Sequence, residues 1–326
     1  LINAGNANAC TGDEGYAAAA NLANRAALAL GAPAGSVLMA STGVIGVPLP
    51  EEKMLKALPE LTAEMSPENG KLLPRAIMTT DTFPKEYALS FTTPAGDYTL
   101  AGTAKGAGMI APNMATLLAF MVTDMPLERA LMQSILKRCV DRTLNAVTID
   151  GDMSTNDTAL LLCPGAETPV SDQESAAAFE EALHALMGKL GELIVRDGEG
   201  ATKFITVRTV GAATEDDAMK VSRAVAESLL VKTAMFGNDP NWGRIACAAG
   251  YSGAPVEEKL LSISIGGAPL LVRGVPAPLD REKIRAVIGQ KDVEITVDLG
   301  MGDGSFTCFT SDISYDYVKI NAEYTT

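Results

Sequence analysis

The sequence predicts a globular protein of the α/β class with α+β character, and three observations lead to this prediction. Its 326 residues are 47% hydrophobic and 20% charged, so they can bury one large core or two closely packed lobes. Segments with helical periodicity alternate with short strand-like segments, and the last third is mostly strand-like. The sequence shows no internal repeat, low-complexity tract or long linker that would divide it into modules.

The first elements are predicted from the residues at their boundaries. The chain begins at Leu1 in a strand-like segment, so we expect a further segment to precede it. Acidic residues at positions 13 and 14 open an Ala/Leu-rich helix that Gly31 ends, because carboxylates favour helix N-termini and glycine favours helix ends. Pro50 opens a second helix. Alternation on both sides of the turn at 94–96 predicts a pair of strands.

Hydrophobic periodicity extends these predictions along the whole chain. The predicted helices cover residues 11–30, a stretch from residue 50, 127–140, 174–195 and 215–230. The predicted strands cover residues 36–40, 87–91, 97–101, 158–163, 203–210, 260–265, 293–299 and 305–310.

Charge and composition exclude several classes of function. A formal net charge of -14 and a pI near 4.6 argue against nucleic-acid binding, which needs clustered Lys and Arg. No apolar run in the sequence reaches the roughly 18 residues that a membrane span needs. The cysteines are odd in number and form no C-x-x-C pair, and the single histidine, His184, lies in an Ala/Leu-rich helical pattern. We therefore expect a reducing compartment and no metal site.

Residues 105–116, with the sequence KGAGMIAPNMAT, form the most informative segment, because its small residues and its proline suit neither an ordinary helix nor a strand. An N-terminal threonine carries its own base, since its α-amine, with a pKa of roughly 7.7 to 8.0, lies beside the hydroxyl. Cleavage of the Ala115–Thr116 bond would create such a residue, and acyl transfer would then need no histidine. The alternative is an apolar helix over residues 114–122 with Thr116 in its first turn.

Two other positions suit the same chemistry. Thr42 and Gly43 follow a predicted strand, and a hydroxyl beside a glycine that permits close backbone approach could form an oxyanion hole. An ordinary turn is the alternative. Lys105 could pair with a substrate carboxylate or be a solvated surface lysine, and spacing alone leaves both possibilities open.

Four motifs together resemble the family of bifunctional ornithine acetyltransferases and N-acetylglutamate synthases. They are G-N-A-N at 5–8, the segment at 105–116, D-P-N-W-G-R at 239–244 and N-A-x-Y-x-[ST] at 321–326. The likeness runs over the whole chain. It implies an enzyme of arginine biosynthesis, a glutamate N-acetyltransferase that is activated by its own cleavage.

The resemblance also implies an architecture. The precursor would cleave between Ala115 and Thr116 into an α chain of residues 1–115, whose front segment we expect to be incomplete, and a β chain of residues 116–326. Two copies of each chain would form a heterotetramer. The fold would place two β-sheets between helical layers, as in self-processing proteins with an N-terminal nucleophile.

Roles for single residues follow from the same resemblance. Thr116 would be the nucleophile that carries the acetyl group, and Thr42 and Gly43 would form the oxyanion hole. Substrate binding is implied for a threonine of the 79–80 pair, with Thr79 favoured over Thr80, and for Lys105, Thr116, Glu199, Asn321 and Thr326. In physical terms, Glu199 would pair with the cationic side chain of an ornithine-like substrate, while Lys105 would pair with its carboxylate.

The implied reaction is ping-pong acetyl transfer from N-acetylornithine to glutamate through acetyl-Thr116, without a metal or an organic cofactor. Acetyl-CoA is a possible additional donor. No nucleic acid or membrane partner is expected, and the expected location is the cytoplasm, although a targeting peptide upstream of Leu1 would not be visible in this sequence. Two other readings stay open: a related self-processing amidase or aminopeptidase, and a non-catalytic amino-acid-binding protein.

Other apparent motifs lack a required residue or context. The segment at 150–161 resembles a calcium loop, but Thr155 stands where glycine is needed and Leu161 where glutamate is needed. The glycine-rich stretch at 300–304 precedes a predicted strand rather than the helix of a nucleotide-binding loop, so we expect a turn. The single tryptophan, Trp242, is expected to pack rather than to bind a ligand.

Overall fold

The computed structural model of the chain describes residues 1–111, 117–278 and 280–323, and it is an α/β structure, as predicted. The helices of these residues are α1 Gly12–Ala29, α2 Glu51–Ala63, α3 Leu73–Ala76, α4 Arg129–Arg142, α5 Gln173–Arg196, α6 Glu215–Glu227, α7 Leu229–Phe236, α8 Trp242–Gly250, α9 Arg281–Ile288 and α10 Tyr315–Glu323. The strands are β1 Ile2–Asn6, β2 Ala40–Val44, β3 Lys85–Thr93, β4 Gly96–Lys105, β5 Leu118–Thr123, β6 Val147–Thr148, β7 Thr158–Leu162, β8 Phe204–Ala212, β9 Ser262–Ile265, β10 Ala268–Val272, β11 Val275–Pro276, β12 Asp292–Asp298 and β13 Gly304–Ser311.

The strands of the described residues form two main sheets and one small ladder. The first main sheet has four strands in the order β3-β4-β5-β7, and the second has seven in the order β11-β10-β9-β12-β8-β13-β6. The ladder consists of β1 and β2, which pair in parallel. Helix α5 packs on β3 and β4 and also contacts β13, so the two main sheets meet at this helix.

The four-stranded sheet contains the predicted hairpin. Strand β3 pairs along its full length with β4 around a two-residue turn at 94–95, with Thr93 opposite Gly96. Strand β4 then pairs antiparallel with β5, and β5 pairs in parallel with β7. One face of the sheet is covered by α5, whose Leu186 and Leu190 reach so close to Gly102 that a larger residue there would crowd them. The strand pairing brings the last residue of β4 and the first residues of β5 and β7 together at one end of the sheet, with Lys105 opposite Leu118 and Leu118 opposite Thr158.

The seven-stranded sheet forms a second core. Its interior strand β8 pairs in parallel with β12 and antiparallel with β13. Side chains of α6, α7 and α8 bury its apolar surface together with residues of α9, and Trp242 packs against this cluster as predicted. The stretch at 300–304 is a turn that leads into β13, again as predicted. Among the described residues, no helix is both long enough and apolar enough to cross a membrane.

Two predicted elements were wrong in position or type, and one alternative is contradicted. The strand expected at 36–40 lies at Ala40–Val44. The single helix expected at 215–230 is two helices, because Ser228 leaves the helical conformation and its hydroxyl accepts a hydrogen bond from the Val231 amide (3.3 Å) to cap the second one. The alternative helix over 114–122 is contradicted within the described residues, where residues 118–123 form strand β5.

Candidate functional site

Six predicted site residues that the structure describes, together with Thr80, the alternative to Thr79, line one cavity of about 260 Å³. They come from five parts of the fold: strand β2, the loop before β3, the end of β4, the segment after α5, and helix α10. The residues are Thr42, Gly43, Thr79, Thr80, Lys105, Glu199 and Asn321. The remaining predicted residues, Ala115, Thr116 and Thr326, lie outside the described residues, whereas Leu117, which follows Thr116 in the sequence, lines the same cavity.

The small ladder fixes the position of Thr42 and Gly43. Gly43 has a φ of +131° and lies opposite Gly5 of β1, and a Cβ atom on Gly43 would lie 2.3 Å from the carbonyl carbon of Gly5. Gly43 therefore allows the two backbones to approach this closely, whereas Gly5 suits its position through its positive φ of +100°. The G-N-A-N motif completes the arrangement, because the Asn6 side chain donates to the Val47 carbonyl at 3.0 Å and to the Pro48 carbonyl at 3.1 Å.

Lys105 is the cation of the cavity. Its ammonium donates to the Thr79 hydroxyl at 2.8 Å and lies 3.4 Å from the Thr42 hydroxyl, so it links the loop before β3 to the end of β2. Burial lowers the pKa of Lys105 below its ordinary value, although the charge of Asp81 opposes the shift. Thr79 therefore has a direct contact with Lys105, and Thr80 lines the cavity beside it.

Behind Lys105 lies a buried group of charges that sequence analysis did not predict. The ammonium of Lys85 contacts a carboxylate oxygen of Asp81 at 2.6 Å and one of Asp197 at 2.5 Å, and its side chain is 0% exposed. The Thr82 amide also donates to Asp197, at 3.0 Å. Because Asp197 follows α5 and Asp81 precedes β3, the group ties the two segments that carry Thr79 and Glu199.

Asp81 holds three parts of the site at once. Its carboxylate accepts hydrogen bonds from the Thr79 amide at 3.0 Å and the Gly106 amide at 2.7 Å, and it lies 4.0 Å from the ammonium of Lys105. Burial raises the pKa of this carboxyl, but the charges of Lys85 and Lys105 and the hydrogen bonds outweigh burial, so its pKa is lowered. Asp81 is thus the anion that positions Lys105.

Glu199 lies on the side of the cavity formed by the C-terminal helix. Its carboxylate accepts a hydrogen bond from the Asn321 side chain at 2.9 Å, and its own amide donates to the Ala107 carbonyl at 2.8 Å. A Cβ atom on Gly108 would lie 2.5 Å from this carboxylate, so the glycine of the 105–116 segment makes room for it. The Glu199 carboxylate and the Asn321 side-chain amide, both from predicted site residues, are therefore joined by a direct hydrogen bond.

Asp150 holds the backbone that leads towards the predicted cleavage point. It accepts hydrogen bonds from the Met109 amide at 2.6 Å and the Ile110 amide at 2.8 Å. Burial raises the pKa of the Asp150 carboxyl, against these backbone donors. Farther along the same loop, Asp157 lines the cavity. The unusual composition of 150–157 signalled an unusual segment, but sequence alone did not connect Asp157 with Lys105.

Other candidate residues lie elsewhere. His184 is exposed on α5 and lines a different, wider depression of about 810 Å³ that contains none of the predicted site residues. The D-P-N-W-G-R motif forms the start of α8, where the Asn241 side chain accepts from the Arg244 amide and Arg244 donates to the Leu230 carbonyl at 2.8 Å. This motif is therefore explained by local structure, and it does not reach the cavity.

Comparisons with known proteins agree with the motif resemblance. The sequence matches the ArgJ family over residues 1–326. The arginine biosynthesis bifunctional protein ArgJ of Geobacter sulfurreducens is 48% identical over 330 residues, which cover 100% of this chain and 84% of that protein. The protein of the same name from Thermus thermophilus is 47% identical over 328 residues, with 100% and 82% covered. A crystal structure of the arginine biosynthesis bifunctional protein argJ from Bacillus halodurans is 38% identical with a TM-score of 0.59, and the match covers 62% of this chain and 96% of that one.

Proposed function

Because this chain belongs to the ArgJ family and is an enzyme, we propose that it transfers an acetyl group from N-acetylornithine to glutamate by a ping-pong mechanism through acetyl-Thr116. The observation that carries the proposal is the convergence of Lys105, Glu199 and the Thr42–Gly43 pair on one small cavity that also reaches Leu117. The relatives' name places them in arginine biosynthesis, which agrees with ornithine chemistry.

The charges of the cavity suit such a substrate. N-acetylornithine carries a carboxylate at one end and an ammonium group at the other, and the cavity lining contains both the cation Lys105 and the carboxylate Glu199. Its volume of about 260 Å³ lies just below the usual range for drug-sized ligands and suits an amino-acid derivative. The substrate would thus be held at both ends with its acetylated nitrogen between them.

The first half-reaction begins with the Thr116 hydroxyl, whose proton passes to the free α-amine of the same residue. The hydroxyl oxygen attacks the acetyl carbonyl, and the Thr42 hydroxyl and Gly43 stabilise the negative charge that develops on the carbonyl oxygen. Ornithine then leaves. In the second half-reaction the amine of glutamate attacks the carbonyl carbon of acetyl-Thr116, and N-acetylglutamate leaves.

Cleavage between Ala115 and Thr116 is part of the proposal, with residues 1–115 and 116–326 as the products. The coverage of the Bacillus halodurans chain supports it, since 96% of that chain corresponds to only 62% of this one. That extent is compatible with a separate polypeptide, because residues 116–326 make up about two thirds of this sequence. We further propose a heterotetramer in the cytoplasm, for which light scattering should give twice the 33.9 kDa mass of one chain.

The test combines denaturing mass spectrometry with an isotope assay. We expect two fragments that meet at Ala115 and Thr116, and we expect ¹³C-acetyl from labelled N-acetylornithine to appear in N-acetylglutamate. Thr116→Ala should stay uncleaved and transfer nothing. Release of labelled acetate without transfer would identify an amidase instead, and an intact wild-type chain that binds amino acids without turnover would identify a binding protein. Labelled acetyl-CoA in place of N-acetylornithine tests the additional donor.

A further inference from the structure

Asp157 lies beside Leu117, the residue that follows the proposed nucleophile in the sequence. It is the last residue before β7, and β7 pairs in parallel with β5 such that Leu118 lies opposite Thr158. The Thr158 amide donates to the Leu117 carbonyl at 2.8 Å. Asp157 and Leu117 are therefore neighbours across the ladder, and both line the cavity.

The carboxyl of Asp157 has an unused acceptor. The Ser154 side chain forms a hydrogen bond with this carboxyl, but the Oδ2 atom is buried and has no hydrogen-bond partner among the described residues. A buried polar atom without a partner is costly, and in a cavity wall a ligand can supply the missing partner. The partner for a carboxyl oxygen is an N–H or O–H group, and the proposed substrates bring a reacting nitrogen.

The surrounding charges leave this group able to exchange a proton near neutrality. The charged residues that line the cavity, within the part of the chain described, are Lys105, Asp157 and Glu199, and Asp81 lies behind Lys105. Burial raises the pKa of Asp157 from 3.8 to about 7, although the Lys105 charge and the Ser154 hydrogen bond oppose the shift. A carboxyl of this kind is protonated part of the time at the pH at which a biosynthetic enzyme works.

We propose that Asp157 is a catalytic residue that gives a proton to the nitrogen leaving the acetyl group and takes one from the nitrogen that arrives. This inference rests on the proposed acetyl transfer. In the first half-reaction the Thr116 amine takes the hydroxyl proton, the carbonyl carbon bonds to the threonine oxygen, and the C–N bond breaks as protonated Asp157 donates to nitrogen. Ornithine leaves as an amine, and Asp157 is left as a carboxylate.

The second half-reaction restores both groups. The amine form of glutamate attacks the acetyl carbonyl and loses one proton to the Asp157 carboxylate. The C–O bond to threonine breaks as the ammonium group of Thr116 returns its proton to the hydroxyl oxygen. Asp157 is again protonated and the α-amine again neutral, so the cycle needs no other proton carrier at the reacting atoms.

The test compares two donors in Asp157→Asn, with Asp152→Asn as the control, because Asp152 is an exposed carboxylate of the same loop. Mass spectrometry first gives the cleaved fraction, and all rates are referred to cleaved protein. With N-acetylornithine we expect the acetylation rate of Asp157→Asn to fall about 100-fold with KM within a few-fold of wild type. With p-nitrophenyl acetate, whose leaving group needs no proton, the rate should stay within a few-fold of wild type. Asp152→Asn should behave as wild type with both donors.

The pH profile gives a second readout that a structural role would not move. Acetylation of the wild type by N-acetylornithine needs both protonated Asp157, with a pKa of about 7, and the neutral α-amine of Thr116, so its rate should pass through a maximum and fall on the alkaline side. This alkaline limb should vanish in Asp157→Asn, whose rate should only rise as the amine loses its proton. An equal loss of rate with both donors, or a limb that survives the substitution, would overturn the role.

If Asp157→Asn remains uncleaved, Asp157→Glu replaces it. For Asp157→Glu, a rate that falls with N-acetylornithine but not with p-nitrophenyl acetate, together with a pH limb at a different pH, supports the role. An equal loss of rate with both donors contradicts it. A wild type that transfers no acetyl group would instead overturn the proposed function itself.

Discussion

Replacing Lys85 by methionine would test whether the buried charges behind the cavity act as a structural unit. Lys85 lies 2.6 Å from Asp81 and 2.5 Å from Asp197, and the three side chains are at most 2% exposed. At an effective dielectric constant of about 20, each contact has a gross attraction of about 6 kcal/mol, most of which offsets the cost of burying the charges. Lys85→Met removes the cation that both buried carboxylates contact and leaves Asp81 only the more distant Lys105, so we expect a loss of about 3–5 kcal/mol in unfolding free energy.

A matched control exists on the surface. Lys137 contacts Asp141 at 2.8 Å on α4, but the two side chains are 70% and 43% exposed. Lys137→Met should therefore change the unfolding free energy by less than about 1 kcal/mol. Urea unfolding followed by circular dichroism at pH 7.5 measures both variants against wild type. Equal shifts in the two variants, or a loss below 1 kcal/mol for Lys85→Met, would refute the reasoning.

The same measurement has a predicted pH dependence. Burial alone would raise the pKa of Asp81, but the charges of Lys85 and Lys105 lower it in the folded protein. A lowered pKa means that this carboxylate stabilises the fold fully above its ordinary value of 3.8 and ceases to do so as pH falls through the folded value. The gap between wild type and Lys85→Met should therefore be widest near neutral pH and should narrow below about pH 4. A gap that grows on acidification would contradict this assignment.

Three further predictions concern the cavity itself. Gly43→Ala should lower the unfolding free energy by more than about 3 kcal/mol or prevent folding, since its Cβ would lie 2.3 Å from Gly5. Gly46→Ala, with no atom within 4 Å of its Cβ, should lower it by only about 1 kcal/mol, and thermal unfolding compares the two variants. Lys105→Met should raise KM for N-acetylornithine about 30-fold, and an unchanged KM would contradict the role of Lys105. In the wild type, binding measured by calorimetry should weaken at alkaline pH, because Lys105 has a lowered pKa and loses its charge there. Glu199→Gln should weaken the binding of N-acetylornithine about 30-fold but leave the binding of N-acetylnorvaline, which lacks the side-chain amine, nearly unaffected. An equal effect on both ligands would show that Glu199 does not recognise the side-chain ammonium group.

Elements with strong local patterns could be predicted from sequence. The helix predicted at 174–195 is Gln173–Arg196, and the hairpin around 94–96 has the predicted strands, because amphipathic periodicity and turn residues act over a few positions. The break at Ser228 was missed because the apolar pattern continues through Leu229 and Leu230 while only one hydroxyl marks the new cap.

The site could be predicted only where motifs carry it. Lys105 and Glu199 stand in segments of unusual composition, and the structure places both at one cavity. Lys85 gave no such signal, since a lysine in a strand is usually solvated and its partner Asp197 lies 112 residues away. Asp157 was likewise visible only as part of an odd loop, because its pKa depends on burial and on neighbours that tertiary packing supplies.

The four-stranded sheet crosses the predicted cleavage point. Strands β3 and β4 precede residue 115, β5 and β7 follow residue 116, and β4 pairs with β5 from Leu100 opposite Thr123 to Lys105 opposite Leu118. A cut chain would therefore keep its interchain ladder, and the cavity would draw Lys105 from one product and Glu199 from the other. The covalent link would matter during assembly, when it would hold both products at high effective concentration. Synthesis as one polypeptide would then supply equal amounts of the two products, each of which carries only part of the cavity lining.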